Sequence, residues 1–245
     1  MTTTIRVPDH TFPVHIPLFD IPNLANNKVF SIFGGTQFES LVNHSGNGNG
    51  VVVGQLNVEP MGVRQFGMEN YIRFSNLGAL SPAGFTLIVA FRSPVSNLVS
   101  GLVNLWSQST KNSDSLRRRI FVDGSAGGTG PLRAYSLPAP SGNGVNWEIE
   151  ADKPYLISMV RAGNGATGNL RLHNADGSII TGNTFATQAT PITYAADVAL
   201  EVGNGSSETS GGSLLQGVGL WSGVMSSAAV SEAAAALAYA SGVFD

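Results

Sequence analysis

The sequence predicts an all-β protein: a two-sheet antiparallel sandwich with one short C-terminal helix and an extended N-terminal arm. Three observations carry this. Glycine and asparagine crowd into sharp bends such as LVNHSGNGNGVVVG (41–54), and the triplet Gly-Asn-Gly recurs at 142–144, 163–165 and 203–205 beside segments rich in β-branched or aromatic residues. Glycine takes positive φ without steric cost and asparagine tolerates it, so such bends mark strand connections. From residue 28 onward, twelve apolar segments of strand length alternate with these turns: VFSIF, VVVGQL, YIRF, FTLIVAFR, GLVNLWSQ, RRRIFV, LRAYSL, VNWEIE, YLISMVRA, NLRLHN, VALEVG and LLQGVGLW. Only one stretch, 227–240, has helical character.

Taken in order, residues 1–26 carry Pro8, Pro13, Pro17 and Pro22, which block both a helix and a regular ladder. Between them stand Ile5, Val7, Phe12, Val14, Ile16, Leu18 and Phe19, too apolar for a solvated linker. This arm lies over its own domain or docks on a neighbouring subunit or larger assembly. The sandwich occupies 27–245. In FTLIVAFR the period of two puts Phe85, Leu87, Val89 and Phe91 on one face, read as core, and Thr86, Ile88, Ala90 and Arg92 on the other. In MSSAAVSEAAAALAYA, Ser226 or Ser227 caps a helix that stops before Gly242 and buries Val230, Ala234, Leu237 and Ala238.

The totals exclude several functions. Of 245 residues, 42% are hydrophobic and only 12% charged, so a sizeable core is covered by Ser, Thr, Asn and Gly. A net charge of -3 supplies no basic field for a phosphate backbone, which argues against nucleic-acid binding. The chain has no cysteine, hence no disulfide, thiolate metal site or cysteine nucleophile. No run approaches the ~20 apolar residues of a bilayer span, and the start lacks a signal-peptide pattern. Synthesis in a host cytoplasm without a signal peptide is the expectation, the initiator Met1 arguing against a removed leader.

Several stretches together carry the pattern of one known family. LVNHSGNGNGVVVG resembles that family's early Asp-x-Ser-Gly-Asn-Gly turn and is followed by FGMENYIRFS, similar to an edge-closing strand. FTLIVAFRSP resembles the next core strand. KPYLISMVRAGNGATGNLRLHNADGSII is similar to the family's hairpin pair, with Asp176 and Gly177 at its turn. ALEVGNGSSETSGGSLLQGVGLWSGVMSSAAVSEAAAALAYA resembles the closing strands and helix, with Trp221 at a core position. Together these stretches resemble the laminin G-like branch of the concanavalin A-like lectin and glucanase superfamily over about 38–240, which implies a jelly roll. Asn43 stands where the family has Asp, which weakens any inference of Ca²⁺, a hard ion that favours charged oxygen ligands.

Individual residues then nominate chemistry. Glu148, Glu150 and Asp152 alternate in WEIEADK and would share one face of a strand, loosely resembling the acidic strand of endoglucanases of this fold; their order departs from that motif, and a solvated acidic face is the preferred reading. Arg117, Arg118 and Arg119 form the one dense basic run, read as a charged rim pairing with Asp114 or Asp123. Asp176, Asp197 and Glu208 could offer oxygens to Ca²⁺ but lack a metal-loop spacing. Trp106, Trp147 and Trp221 could offer flat faces to sugar rings, Trp147 beside a Gly-Asn-Gly turn being the best placed. His10, His15, His44 and His173 are scattered, with no zinc or triad pattern.

The expected protein is therefore a noncatalytic, lectin-like sandwich binding a host-surface glycan or a neighbouring virion protein, displayed on a bacteriophage tail, fibre or capsid. Its expected ligand residues are Trp147, Asn143, Asn164, Asn204, Asp176 and Asn47, with no catalytic residue and no cofactor. A homo-oligomer or larger assembly is expected, the arm docking on a neighbour. The alternatives are a structural decoration protein and a polysaccharide-degrading enzyme of the same fold.

Overall fold

A computed structural model describes residues 20–64, 70–95, 100–107, 118–123, 133–137, 146–162, 168–185, 198–203 and 212–245. The expectations for arm residues 1–19, for Asn143, Asn164 and Asn204, and for Arg117, Asp197 and Glu208 lie outside these residues.

The described residues form two antiparallel sheets. The larger contains β1 (Asn27–Ile32), β3 (Asn57–Glu59), β4 (Gly62–Arg64), β6 (Gly84–Arg92), β11 (Pro154–Ala162), β12 (Gly168–His173), β13 (Ile179–Phe185) and β15 (Leu214–Ser222). Its order is β13-β12-β11-β6-β15-β4-β3, and β1 pairs with the remainder of β15. The second contains β2 (Val51–Val53), β5 (Tyr71–Phe74), β7 (Ser100–Ser107), β8 (Arg118–Asp123), β9 (Arg133–Leu137), β10 (Asn146–Glu148) and β14 (Val198–Val202), in the order β10-β9-β8-β7-β14-β5-β2. Face to face they make the two-sheet sandwich that the turn spacing predicts, with the jelly-roll fold that the family resemblance implies.

Each of the twelve predicted segments contains a strand. VVVGQL keeps only Val51–Val53, because Gly54 turns the chain at φ 71°. The hairpin β3–β4 and strand β13, rich in polar residues and glycine, escape the apolar pattern, as does the one-turn helix α1 (Gln37–Ser40). Thr36 and Glu39 form a capping box around α1, the Thr36 side chain accepting from Glu39 N at 3.2 Å and the Glu39 carboxylate from Thr36 N at 2.7 Å.

Between the sheets, Ile72 and Phe74 of β5, Leu105 of β7 and Leu200 and Val202 of β14 meet Phe85, Leu87, Val89 and Phe91 of β6, Ile157 and Met159 of β11 and Leu220 of β15. A second apolar layer corrects the one-sided reading of FTLIVAFR. Ile88 and Ala90, on the face opposite this core, are buried too, together with Phe30, Leu156, Val160 and Trp221. They are covered by helix α2 (Ser227–Ser241), which supplies Val230, Ala233, Ala234, Leu237 and Ala238.

Helix α2 begins and ends where the sequence marks it. Ser226 Oγ accepts from Ala229 N at 3.2 Å, and Gly242 closes the helix at φ 59°. Its close seating depends on β15, where Gly217 leaves space that a Cβ would contest with Leu237 Cδ1 at 3.0 Å. Gly219 does the same for the Trp221 ring, which a Cβ would meet at 2.4 Å. That indole stands edge-on to Phe30 at 6.2 Å between centroids and donates from Nε1 to the Pro22 carbonyl at 2.8 Å, so the described end of the arm is tied to the helix-covered layer.

Candidate functional site

The glycine-asparagine bend is organised by Asn43, which is 5% exposed. Its Oδ1 accepts from Phe30 N (3.0 Å), Ser45 N (3.2 Å) and Ser45 Oγ (2.8 Å), while Nδ2 donates to the carbonyls of Lys28 (3.1 Å) and Gly48 (3.0 Å). Gly46 and Gly48 supply the positive φ of 81° and 90° that closes the loop around this side chain. These residues do not fit a calcium ion: the Asn43 oxygen already faces hydrogen-bond donors, and the amide nitrogen occupies the two carbonyls a cation would need. Asn47 belongs to the same arrangement, donating from Nδ2 to the Asn27 carbonyl (2.9 Å) and to Ser45 Oγ (3.0 Å).

Asp176 is exposed in the β12–β13 turn, where Oδ1 accepts from Ser178 N (2.9 Å) and Ser178 Oγ (2.6 Å). The Ser178 hydroxyl, then its backbone N–H, holds this carboxyl below the usual aspartate range. Trp147 is half-buried against the inter-sheet core. With the Asn183 amide turned so that its oxygen faces the indole, that oxygen accepts from Trp147 Nε1 at 3.2 Å, linking the β10 edge of one sheet to the β13 edge of the other. Thus Asn47, Asp176 and Trp147 each hydrogen-bond a different set of partners.

The acidic segment does not keep one face. Strand β10 ends at Glu148, Ile149 is buried, and Asp152 sits in a turn at φ 54°. There Asp152 approaches Arg92 at 3.5 Å, an exposed pair of little energetic weight.

Strand pairing assembles a constellation that the linear sequence scatters across 130 positions. On β5, Ile72 and Phe74 point into the core, so Tyr71 and Arg73 point outward; on β14, Leu200 and Val202 point inward and Glu201 outward. Pairing sets Glu201 opposite Arg73 on one side and Asn104 of β7 on the other, with Trp106 opposite Ala199. Glu201 Oε1 accepts from Arg73 Nη2 (2.9 Å) and Nε (3.2 Å), and Oε2 accepts from Asn104 Nδ2 (3.0 Å). Arg73 Nη2 also donates to the Tyr71 hydroxyl. The guanidinium lies 5.2 Å from the Tyr71 ring centroid and 5.5 Å from that of Trp106.

Burial is graded across this group. The Glu201 side chain is 5% exposed and that of Arg73 32%, so the cation presents the ensemble to solvent while the carboxylate fixes it from below. Asn104 is 2% exposed, and among the described residues its Oδ1 has no hydrogen-bond partner. A buried acceptor without a donor is costly. The sequence signal was a single polar residue at the centre of each of YIRF, GLVNLW and VALEV. Only the pairing shows that the three converge.

A second polar group lies on the other sheet. Ser158 of β11 and His173 of β12 are both buried, with Ser158 Oγ and His173 Nε2 2.7 Å apart and His173 Nδ1 2.8 Å from the Gly177 carbonyl. A carbonyl can only accept, so Nδ1 carries the proton and Nε2 accepts from the Ser158 hydroxyl. The third member is a peptide oxygen rather than a carboxylate, and the pair lies in the layer that α2 covers.

No protein-family model and no curated protein sequence matches the chain. Solved structures do. Domain 4 of AbnA, an extracellular arabinanase of Geobacillus stearothermophilus determined with arabinotriose, superposes with a TM-score of 0.54 at 11% identity, over 85% of this chain and 98% of that one. Trypanosoma rangeli sialidase gives 0.58 at 13% identity, over 91% of this chain and 35% of the sialidase. A structure of botulinum neurotoxin type C, whose cell entry depends on interaction with two ganglioside molecules, gives 0.56 at 12%, over 87% of this chain and 52% of that one. The chain therefore spans about half of the toxin chain and about a third of the sialidase. At these identities the likeness is one of fold, and the fold is that of a β-sandwich.

Proposed function

We propose that this protein is a noncatalytic, carbohydrate-binding β-sandwich that takes its ligand on the outer face of the seven-stranded sheet. The observation that carries the proposal is the convergence of Tyr71, Arg73, Asn104, Trp106 and Glu201. Sugars are recognised by aromatic faces against their C–H surfaces and by fixed polar groups that exchange hydrogen bonds with vicinal hydroxyls. Here the Glu201 carboxylate holds the part-exposed Arg73 guanidinium over the buried rings of Tyr71 and Trp106, so the fixed cation is the group that meets a ligand hydroxyl. That the arabinanase domain and the type C toxin structure concern arabinotriose and gangliosides agrees with this reading.

Glu201 stands too far from the acidic segment 148–152 to share a cleavage with Glu148. Glu201 and Glu148 stand on β14 and β10, four strand spacings apart in the sheet order. At ~4.8 Å per spacing this is ~19 Å, against the ~5 to 9.5 Å between the carboxyl groups of glycosidases. The finer proposal, display on a bacteriophage particle through the arm, rests on the proline-punctuated apolar residues 1–26 and the sequence resemblance.

The test is a glycan array followed by titration of any retained oligosaccharide. Wild type should bind, and Arg73→Ala, with an unchanged far-ultraviolet spectrum, should weaken binding at least tenfold. Retention of no glycan, or equal affinity in the variant, overturns the assignment. Release of reducing ends by wild type that is lost in Glu148→Gln or Glu150→Gln would instead establish the enzyme.

A further inference from the structure

Helix α2 is joined to the eight-stranded sheet by a chain of contacts that passes through a titratable group. Ser158 on β11 bonds His173 on β12, and His173 bonds the Gly177 carbonyl in the following turn. Gly177, at φ 78°, lies against the helix backbone so closely that a Cβ there would stand 1.9 Å from the Ser231 carbonyl oxygen and 2.9 Å from Ala235 N. His173 is 1% exposed and Ser158 0%. Around them lies the apolar layer of Ile88, Ala90, Leu156, Val160 and the inner residues of α2.

We propose that the Ser158–His173–Gly177 chain is an acid-sensitive latch that holds helix α2 on the sheet at neutral pH and releases it as the medium becomes acidic. In the neutral ring every polar atom is satisfied, since Nδ1–H donates to Gly177 and Nε2 accepts from Ser158. A second ring proton reverses the Ser158 bond, leaves that hydroxyl hydrogen without its acceptor and puts a charge into an apolar layer. The surrounding charges do not compensate it. Arg171, on the same strand, adds repulsion. Arg92, at the end of β6 on this face, is engaged with Asp152. Asp176 in the turn is exposed and bonded to Ser178, and Glu232 on α2 is exposed. From β11 the contribution is Ser158, Leu156 and Val160, which are uncharged.

Burial, then the Arg171 charge, outweighs the Gly177 bond and holds the His173 imidazole below its ordinary range. The folded state therefore favours the neutral ring, while the unfolded or opened chain takes up a proton near the ordinary value of about 6.5. The stabilisation is complete above that value and is lost as pH falls below it.

Amide hydrogen exchange of residues 227–241 in the full chain, corrected for the intrinsic pH dependence of exchange, tests this. Between pH 7.5 and 4.5 the opening equilibrium should rise by up to about tenfold per pH unit below 6.5, with parallel binding of an apolar dye. His173→Gln should flatten the profile, and a triple variant with Gln at positions 10, 15 and 44 should keep the wild-type slope. A flat wild-type profile, or the same slope in His173→Gln, overturns the latch. Should His173→Gln not fold, Ser158→Ala decides: losing the donor to Nε2 makes the buried ring more basic, so the rise must still begin at about 6.5 but level off at a higher pH and span a smaller total change than in wild type, and an unchanged span overturns the proposal.

Discussion

On its outer face the eight-stranded sheet carries Ile88, Ala90, Leu156 and Val160 beneath a helix, whereas the seven-stranded sheet carries Tyr71, Arg73, Asn104, Trp106 and Glu201. Their inner faces are alike, both built from aliphatic and phenylalanine side chains in one core. The outer faces differ in what they offer. A strand covered on both sides becomes apolar along its length, as β6 does, with eight of its nine residues buried. Strands β5, β7 and β14 instead alternate and use their second face for groups that bond one another. One sheet is a stability element, and the other combines stability with the surface proposed to bind ligand.

Substitutions can break or sharpen that contrast. The largest effect is expected for Leu237→Ala, which opens a cavity between α2 and the eight-stranded sheet and should cost about 3 kcal/mol in denaturant unfolding without changing ligand affinity. Glu201→Ala should cost about 2 kcal/mol, because it strands the Asn104 amide and the Arg73 guanidinium, a figure reduced by the partial exposure of Arg73. Unlike Leu237→Ala it should also abolish glycan binding, and a Glu201→Ala protein that binds normally would erase the distinction between the sheets.

Asn43→Asp should lower stability by about 1 to 2 kcal/mol, since a carboxylate oxygen would replace the amide nitrogen facing the Lys28 and Gly48 carbonyls. If millimolar calcium raised the melting temperature of this variant above that of wild type, the rim loop would be a cation site lacking only its charge. Ser226→Ala removes the cap of α2 and should cost about 1 kcal/mol. Smallest is Arg64→Ala, expected to cost under about 1 kcal/mol despite its 2.6 Å contact with Glu59, because both side chains are nearly a third exposed.

Much of the scaffold was legible because its signals are local. Ser226 and Gly242 mark the two ends of α2, and period-two segments mark strands such as YIRF and FTLIVAFR. The hairpin β3–β4 was not legible, since three-residue strands with Glu59 and Arg64 in them show no apolar alternation. The capping box of α1 was present in TQFE, but a four-residue helix has no periodic face to accompany it. The candidate site was legible least. The Glu-x-Glu-x-Asp pattern of 148–152 drew attention through its regularity, yet a turn at Asp152 breaks it. Glu201, alone among apolar residues in VALEV, gave no sign that Arg73 would stand opposite.

The sequence by itself determined the class of fold, the helix and its limits, and the inner face of the central strands, because backbone geometry and side-chain periodicity act over a few residues. Only the tertiary structure decided that the outer face of β6 is covered, that Asn43 closes its loop through an amide, and that Tyr71, Arg73, Asn104, Trp106 and Glu201 meet. Those outcomes depend on strand order and register. Register joins residues up to 130 positions apart through backbone hydrogen bonds that are alike for every side chain, so no short stretch of sequence encodes them.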